Sequence, residues 1–183
     1  EADGRYDGSV AVAWRLNFQY EDGPRDCESV AVDAAGEQVL LLSKRTQPPV
    51  LYTLPLRPGV ARPERGPAGI VVATRLGPVA SIPQPSAADI INDPVHGGYR
   101  AQPTGMDIAA AGDELVLMTY GDVYRYLRTD EEPWLALLQA APEGLEKPPA
   151  SGQTEALAYS RDARTIYFTA EDRRAPIYRF ARE

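Results

Sequence analysis

"RDCESVAVDAAGEQVLLLSKR", residues 25–45, decides the fold. An acid, Glu28, precedes a short alternating run, a turn of Asp, Ala and Gly follows, and a continuous apolar run then ends at Ser43. The alternation predicts a half-buried strand over 29–33, and the continuous run a buried strand over 38–43. The turn between them makes the pair an antiparallel hairpin. The same order returns twice. "GMDIAAAGDELVLMTYGDVYRYLR" from Gly105 and "TEALAYSRDARTIYFTAEDRRAPIYRFAR" from Thr154 align with "CESVAVDAAGEQVLLLSKRTQPPVLYTLPL" from Cys27. Each repeat has an acid, a short strand, a turn, a second apolar strand ending in Ser or Thr, a polar link and a third strand carrying Tyr52, Tyr124 or Tyr178. The acids Glu28, Asp107 and Glu155 stand 79 and 48 residues apart, and the longer gap contains a Pro- and Gly-rich stretch, 77–106. A repeat of about 48 residues with three or four strands per unit is the pattern of β-propeller blades.

Outward from these hairpins the chain reads as all-β. Further strands are expected at 10–19, 50–56, 69–76, 107–110, 114–119, 122–127, 156–160, 165–169 and 176–180. A single helix is expected over 133–140, with Asp130 or Glu131 near its start, Pro133 in the first turn, and Trp134, Leu137 and Leu138 as its buried stripe. The chain is expected to form one propeller unit over 1–183, of about three four-stranded antiparallel blades. These lie at roughly 20–76, 100–150 and 151–183, and strand 10–19 is the outer strand of a preceding blade.

Composition narrows the function. With 183 residues, one domain with a substantial core is expected. A net charge of −7, with basic residues scattered along the chain, excludes an electrostatic footprint for nucleic acid. The lone cysteine, Cys27, excludes an internal disulfide and a cysteine-based zinc cluster, and is expected to pack between blades. No apolar run approaches the roughly 20 residues of a membrane span. The N-terminus shows neither an initiating Met nor a signal-peptide pattern, so a processed or partial chain is expected.

The stretches "DGPRDCESVAVD", "PTGMDIAAAGDELVLMTYGDVYRY" and "QTEALAYSRDARTIYFTAEDRRAPIYRF", roughly half of the chain, resemble bacterial six-bladed propellers of the NHL-like or phytase-like (esterase-like) kind. A small or aromatic residue usually stands in those proteins where this chain has Cys27. The resemblance implies the C-terminal half of such a ring and a secreted or periplasmic location. Six blades at about 45 residues each require roughly 270 residues. An open half would expose apolar faces and strand edges, so a missing N-terminal half or a second chain is expected to complete the ring.

Equivalent first strands in a propeller line a central channel, so Glu28, Asp107 and Glu155 are expected to converge at its mouth. Converging carboxylates repel one another unless a cation compensates. Calcium, with six to eight oxygen ligands in relaxed geometry, suits that role; by resemblance, gluconolactonase- and regucalcin-like propellers hold an axial metal this way. Alternatively, the acids accept backbone N–H groups and close the ring without metal. The ends of the second strands return to the same mouth, placing Lys44, Arg45, Tyr120, Asp122 and Glu171 there. Lys44 or Arg45 would orient an anionic substrate such as a phosphate, with Tyr120 donating a hydrogen bond. His96, the only histidine, lies in a loop leading to Asp107 and is the candidate general base; an exposed loop histidine is the alternative. Asp33 and Asp113 are turn residues. Tyr6, Tyr20 and Tyr99 are surface tyrosines that would meet a partner or pack ordinarily. There is no GxSxG elbow, and "DGPRD" (22–26) and "GPAG" (66–69) are turns, too short for phosphate loops. Two functions stay open. One is a propeller that binds a divalent metal or a small ligand at its mouth. The other is a metal-dependent hydrolase of an ester, lactone or phosphoester, with His96 and Lys44 as catalytic groups.

Overall fold

Three sheets follow one another along the chain, antiparallel throughout except for one parallel edge strand in the first. The computed structural model describes residues 8–9, 11–57, 69–129, 132–147 and 154–181. The first sheet holds β1 (Asn17–Tyr20), β2 (Cys27–Asp33), β3 (Gln38–Ser43), β4 (Val50–Pro55) and β5 (Ile70–Pro78), in the order β1-β5-β4-β3-β2. A connector with helix α1 (Ala87–Asn92) and a single 3₁₀ turn (Gly97–Tyr99) leads to the second sheet. That sheet comprises β6 (Pro103–Ile108), β7 (Glu114–Thr119) and β8 (Val123–Leu127), then the one-turn helix α2 (Trp134–Leu137) and β9 (Glu143–Leu145), in chain order. The third consists of β10 (Thr154–Tyr159), β11 (Thr165–Ala170) and β12 (Tyr178–Ala181).

Burial follows the residue pattern. Along β2, Ser29, Ala31 and Asp33 are buried while Glu28, Val30 and Val32 are exposed, the alternation of a strand with one face covered. All six residues of β7 are buried, because the second sheet is covered on both faces. One apolar core joins it to the first sheet: Leu40, Leu42 and Leu51 meet Met106, Leu115 and Leu117, and Trp134 and Leu138 fill the outer end. A second core joins it to the third sheet, with Val116, Met118 and Val123 against Ile166 and Phe168. The first strands lie side by side, β6 packing between β2 and β10. Successive meanders stacked face to face, with their first strands adjacent, make the architecture propeller-like.

Asp33 ties turn to helix. Its carboxylate accepts the N–H of Gly36 at 2.8 Å, the amide of Gln38 at 2.9 Å and Nε1 of Trp134 at 2.8 Å. The turn role read for Asp33 is thereby extended to a buried anchor for α2. On the far face of the first sheet, Tyr52 accepts from Nε of Arg25 at 2.8 Å and donates to Asp22 at 3.0 Å. Tyr20 packs edge-on against Tyr52, with ring centroids 4.8 Å apart.

Several expectations are corrected. The strand expected over 10–19 is formed only at Asn17–Tyr20, and residue 10 lies outside the described residues. It runs parallel to β5, Asn17 opposite Ile70 and Tyr20 opposite Ala73, so it is a fifth strand of the first sheet and belongs to no preceding blade. The strand expected at 107–110 begins at Pro103, at a strand start where proline is tolerated. The helix expected over 133–140 is one turn with Pro133 as its N-cap; Trp134, Leu137 and Leu138 are its buried residues, and Asp130 and Glu131 lie outside the described residues, as does Tyr6. α1 and β9 were not anticipated. Ser86 caps α1 through a reciprocal box, its Oγ accepting the N–H of Asp89 while its own N–H donates to the Asp89 carboxylate.

Candidate functional site at the first-strand mouth

A repeated irregularity builds the site. Pairing shifts between Cys27 and Ser29, between Pro103 and Gly105, and between Thr154 and Ala156. Each first strand therefore begins with a bulge, and the extra residues are Glu28, Thr104 and Glu155. Cys27, Pro103 and Thr154 pair with Ser43, Thr119 and Ala170, the last residues of the second strands. The residues that follow, Lys44, Tyr120 and Glu171, thus emerge at the same end.

The side chains connect three sheets. Lys44 Nζ lies 2.5 Å from Glu28 Oε1 and 2.7 Å from the Tyr120 hydroxyl, which donates to Glu155 Oε1 at 3.2 Å. Lys44 is 5% exposed. Burial would push its ammonium down, but the bonds to Glu28 and Tyr120 outweigh burial and hold its pKa above the ordinary lysine value. The mouth therefore contains a fixed positive charge. Burial, and then the neighbouring Glu171 carboxyl, push Glu155 above the ordinary glutamate value, against a smaller lowering by Tyr120.

Asp107 stands apart from this cluster. Its carboxylate accepts the N–H of Tyr159 at 2.8 Å and of Ile108 at 2.9 Å, and its burial raises its pKa despite both bonds. The residue equivalent to Glu28 and Glu155 is Thr104, fully buried and donating to the Thr154 carbonyl at 3.0 Å. The expected convergence of three acids is corrected to two acids and a threonine. The sequence alignment had matched acid to acid, whereas the bulges match "PTGMD" to "CESVA" and "TEALA".

The donor set does not fit calcium. Among the described residues no three His, Cys, Asp or Glu side chains assemble as a metal-ligating group. Glu28 is engaged by the Lys44 ammonium, and Asp107 uses both carboxylate oxygens on backbone N–H groups. The charge that a cation would neutralise is met by Lys44.

Beside the cluster is a cavity of about 570 Å³ lined by Lys44, Arg45, His96, Tyr99, Gln102, Tyr120 and Thr154. The blades supply Lys44, Arg45, Tyr120 and Thr154, and the α1 connector supplies the others. Arg45 is 72% exposed, with Nε 2.6 Å from Asp26. His96 is exposed on the connector, its Nδ1 3.6 Å from Asp93. Asp122 lies 3.4 Å from Arg100 Nη2, and the Glu171 carboxyl neighbours that of Glu155. Arg100 also reaches Asp89 at 3.3 Å, and the Gly121 N–H donates to its carbonyl, so it fastens the connector to the second sheet. Thr104, Gln102 and Thr154 were missed as site residues. The bulge alignment would have found Thr104 and Thr154, whereas Gln102 leaves no sequence signal beyond its nearness to the repeat.

The sheets and this mouth define an all-β, propeller-like protein with a polar cavity where its first strands begin. No protein-family model matches the chain, and no curated protein matches it in sequence. Among solved structures, a luciferin-regenerating enzyme aligns over 84% of this chain at 11% identity with a TM-score of 0.44. The alignment covers 44% of that enzyme's chain, so this chain spans less than half of its neighbour. A likeness that slight transfers no activity. Among the described residues no helix is long and apolar enough to cross a membrane.

Proposed function

We propose that this propeller-like protein binds a small molecule in the mouth cavity. The observation that supports this is Lys44: a nearly buried ammonium, held by groups from two sheets, lines a cavity of about 570 Å³, a size within the range of small-molecule sites. A purely structural lysine would not need an open cavity at its side. The test is a fragment screen followed by amide NMR. Hits should shift Tyr99, Gln102 and Tyr120 together, and hits that shift only remote surface residues would overturn the reading.

A second reading, a hydrolase of an ester, lactone or phosphoester, is supported by one observation: Glu155, its pKa raised, bonds to the Tyr120 hydroxyl at the cavity wall and suits a general acid. Turnover of p-nitrophenyl esters or phosphates, lost in Glu155→Gln, would support it; equal rates in both proteins would remove it.

The reading extends to a six-bladed ring, closed by a preceding half or a second chain. It is supported by Val30 and Val32, 49% and 44% exposed on the face of the first sheet turned away from the second. Light scattering that reports the mass of one chain would remove the second-chain version.

A further inference from the structure

The protein carries a net charge of −7, yet no carboxylate is found among the described residues that line the mouth cavity. The polar groups among that lining are the Lys44 ammonium, the Arg45 guanidinium, the Gln102 amide, the His96 imidazole and the hydroxyls of Tyr99, Thr154 and Tyr120, the last already donating to Glu155. The nearby acids are already engaged, Glu28 with Lys44, Asp26 with Arg45 and Glu155 with Tyr120. An ammonium has three N–H donors, and Lys44 uses two. Arg45 uses Nε on Asp26, and among the described residues no partner engages its Nη groups, which suit a planar oxyanion. Tyr99, half exposed on the connector, offers an aromatic face for the remainder of a ligand.

We propose that the ligand is a small organic anion, a carboxylate or a phosphate monoester, with its oxyanion on Lys44 and Arg45 and its body against Tyr99. This rests on the ligand-binding reading above and adds the charge. Lys44 is nearly buried, whereas Arg45 is 72% exposed, and each already has one carboxylate partner, so the preference for an anion over a neutral isostere of the same shape comes from their remaining N–H donors.

The experiment is a calorimetric titration of the whole chain with phenylacetate, phenyl phosphate and the neutral phenylacetamide. The expected result is that at least one anion binds tenfold or more tightly than the amide, and that added salt weakens it. The stronger of the two anions identifies the ligand chemistry. Arg45→Gln, at an exposed position where folding is not at stake, should reduce anion binding about tenfold and leave amide binding unchanged. Lys44→Met should reduce it further, provided its melting curve stays cooperative. Equal binding of amide and anions, with the Tyr99 and Tyr120 resonances shifting, would overturn the anion inference and leave the ligand reading standing. Binding of no probe at the cavity would count against both.

Discussion

Glu155 is a mouth acid held above the ordinary glutamate pKa. Burial first, then the facing Glu171 carboxyl, raise its pKa. The ionised form is therefore less favourable in the folded state than in the unfolded chain, and above the raised pKa this destabilises the protein. As the pH falls through that value toward the ordinary glutamate pKa of about 4.3, the folded state keeps its proton and the penalty disappears. Glu155→Gln should then melt at a higher temperature than the wild type at pH 8, and the gain should vanish near pH 4. A gain that is the same at every pH would show that ionisation of Glu155 is not its source. Asp33 has the opposite sign. Burial pushes it up, but Trp134, Gly36 and Gln38 outweigh burial and lower its pKa, so the stability it contributes is lost as the pH falls through that lowered value. Trp134→Phe preserves the ring and removes one donor to this buried carboxylate, and should cost about 1.5–3 kcal/mol in urea unfolding. A cost below about 0.5 kcal/mol would mean that water or Gln38 replaces the indole N–H without loss.

At the scale of elements, the hairpins were legible because each rests on one local pattern. The second strands, Gln38–Ser43 and Glu114–Thr119, begin and end as read, since a continuous apolar run bounded by turn residues marks an inner strand that is buried along most of its length. The first strands were harder. Their bulges insert a residue that side-chain character does not mark, so matching acid to acid displaced the second repeat by three positions, from Thr104 to Asp107. The convergence of Glu28, Lys44, Tyr120 and Glu155 was legible from hairpin geometry, because a second strand must return to the end where the first began. The connector was not legible. Its capping box at Ser86 and Asp89 was hidden in a Pro- and Gly-rich stretch, and the approach of Gly97 to α1 depends on tertiary packing. A Cβ at Gly97 would stand 2.2 Å from the Asp89 carbonyl oxygen, whereas one at Gly98 would meet nothing within 4 Å. Gly97→Ala should therefore displace the connector, cost about 1–3 kcal/mol, and shift amide resonances over 86–102 and at the cavity. Gly98→Ala should do neither. Equal effects of the two substitutions would disconnect the cavity from the packing of the connector on α1.

For the whole molecule, the second sheet is the common wall of two cores, and adjacent residues of β7 belong to different ones. Leu117 packs toward the first sheet and Met118 toward the third, both fully buried. Truncation of either to Ala should cost about 2–5 kcal/mol. If the three sheets unfold as one unit, each substitution must weaken the whole, because loss of either interface uncovers a face of the sheet that supports the other. Trp134 reports on the first interface, and far-UV circular dichroism reports on all three sheets. In a Trp14→Phe background, which leaves Trp134 as the only indole, both signals should move together in Leu117→Ala and in Met118→Ala. A Met118→Ala protein whose circular dichroism falls before its fluorescence changes would show that the third sheet detaches by itself. The mouth network would then fail in a defined order, with Glu155 leaving Tyr120 while Lys44 and Glu28 stay in place, because those two belong to the first sheet and do not depend on the second core.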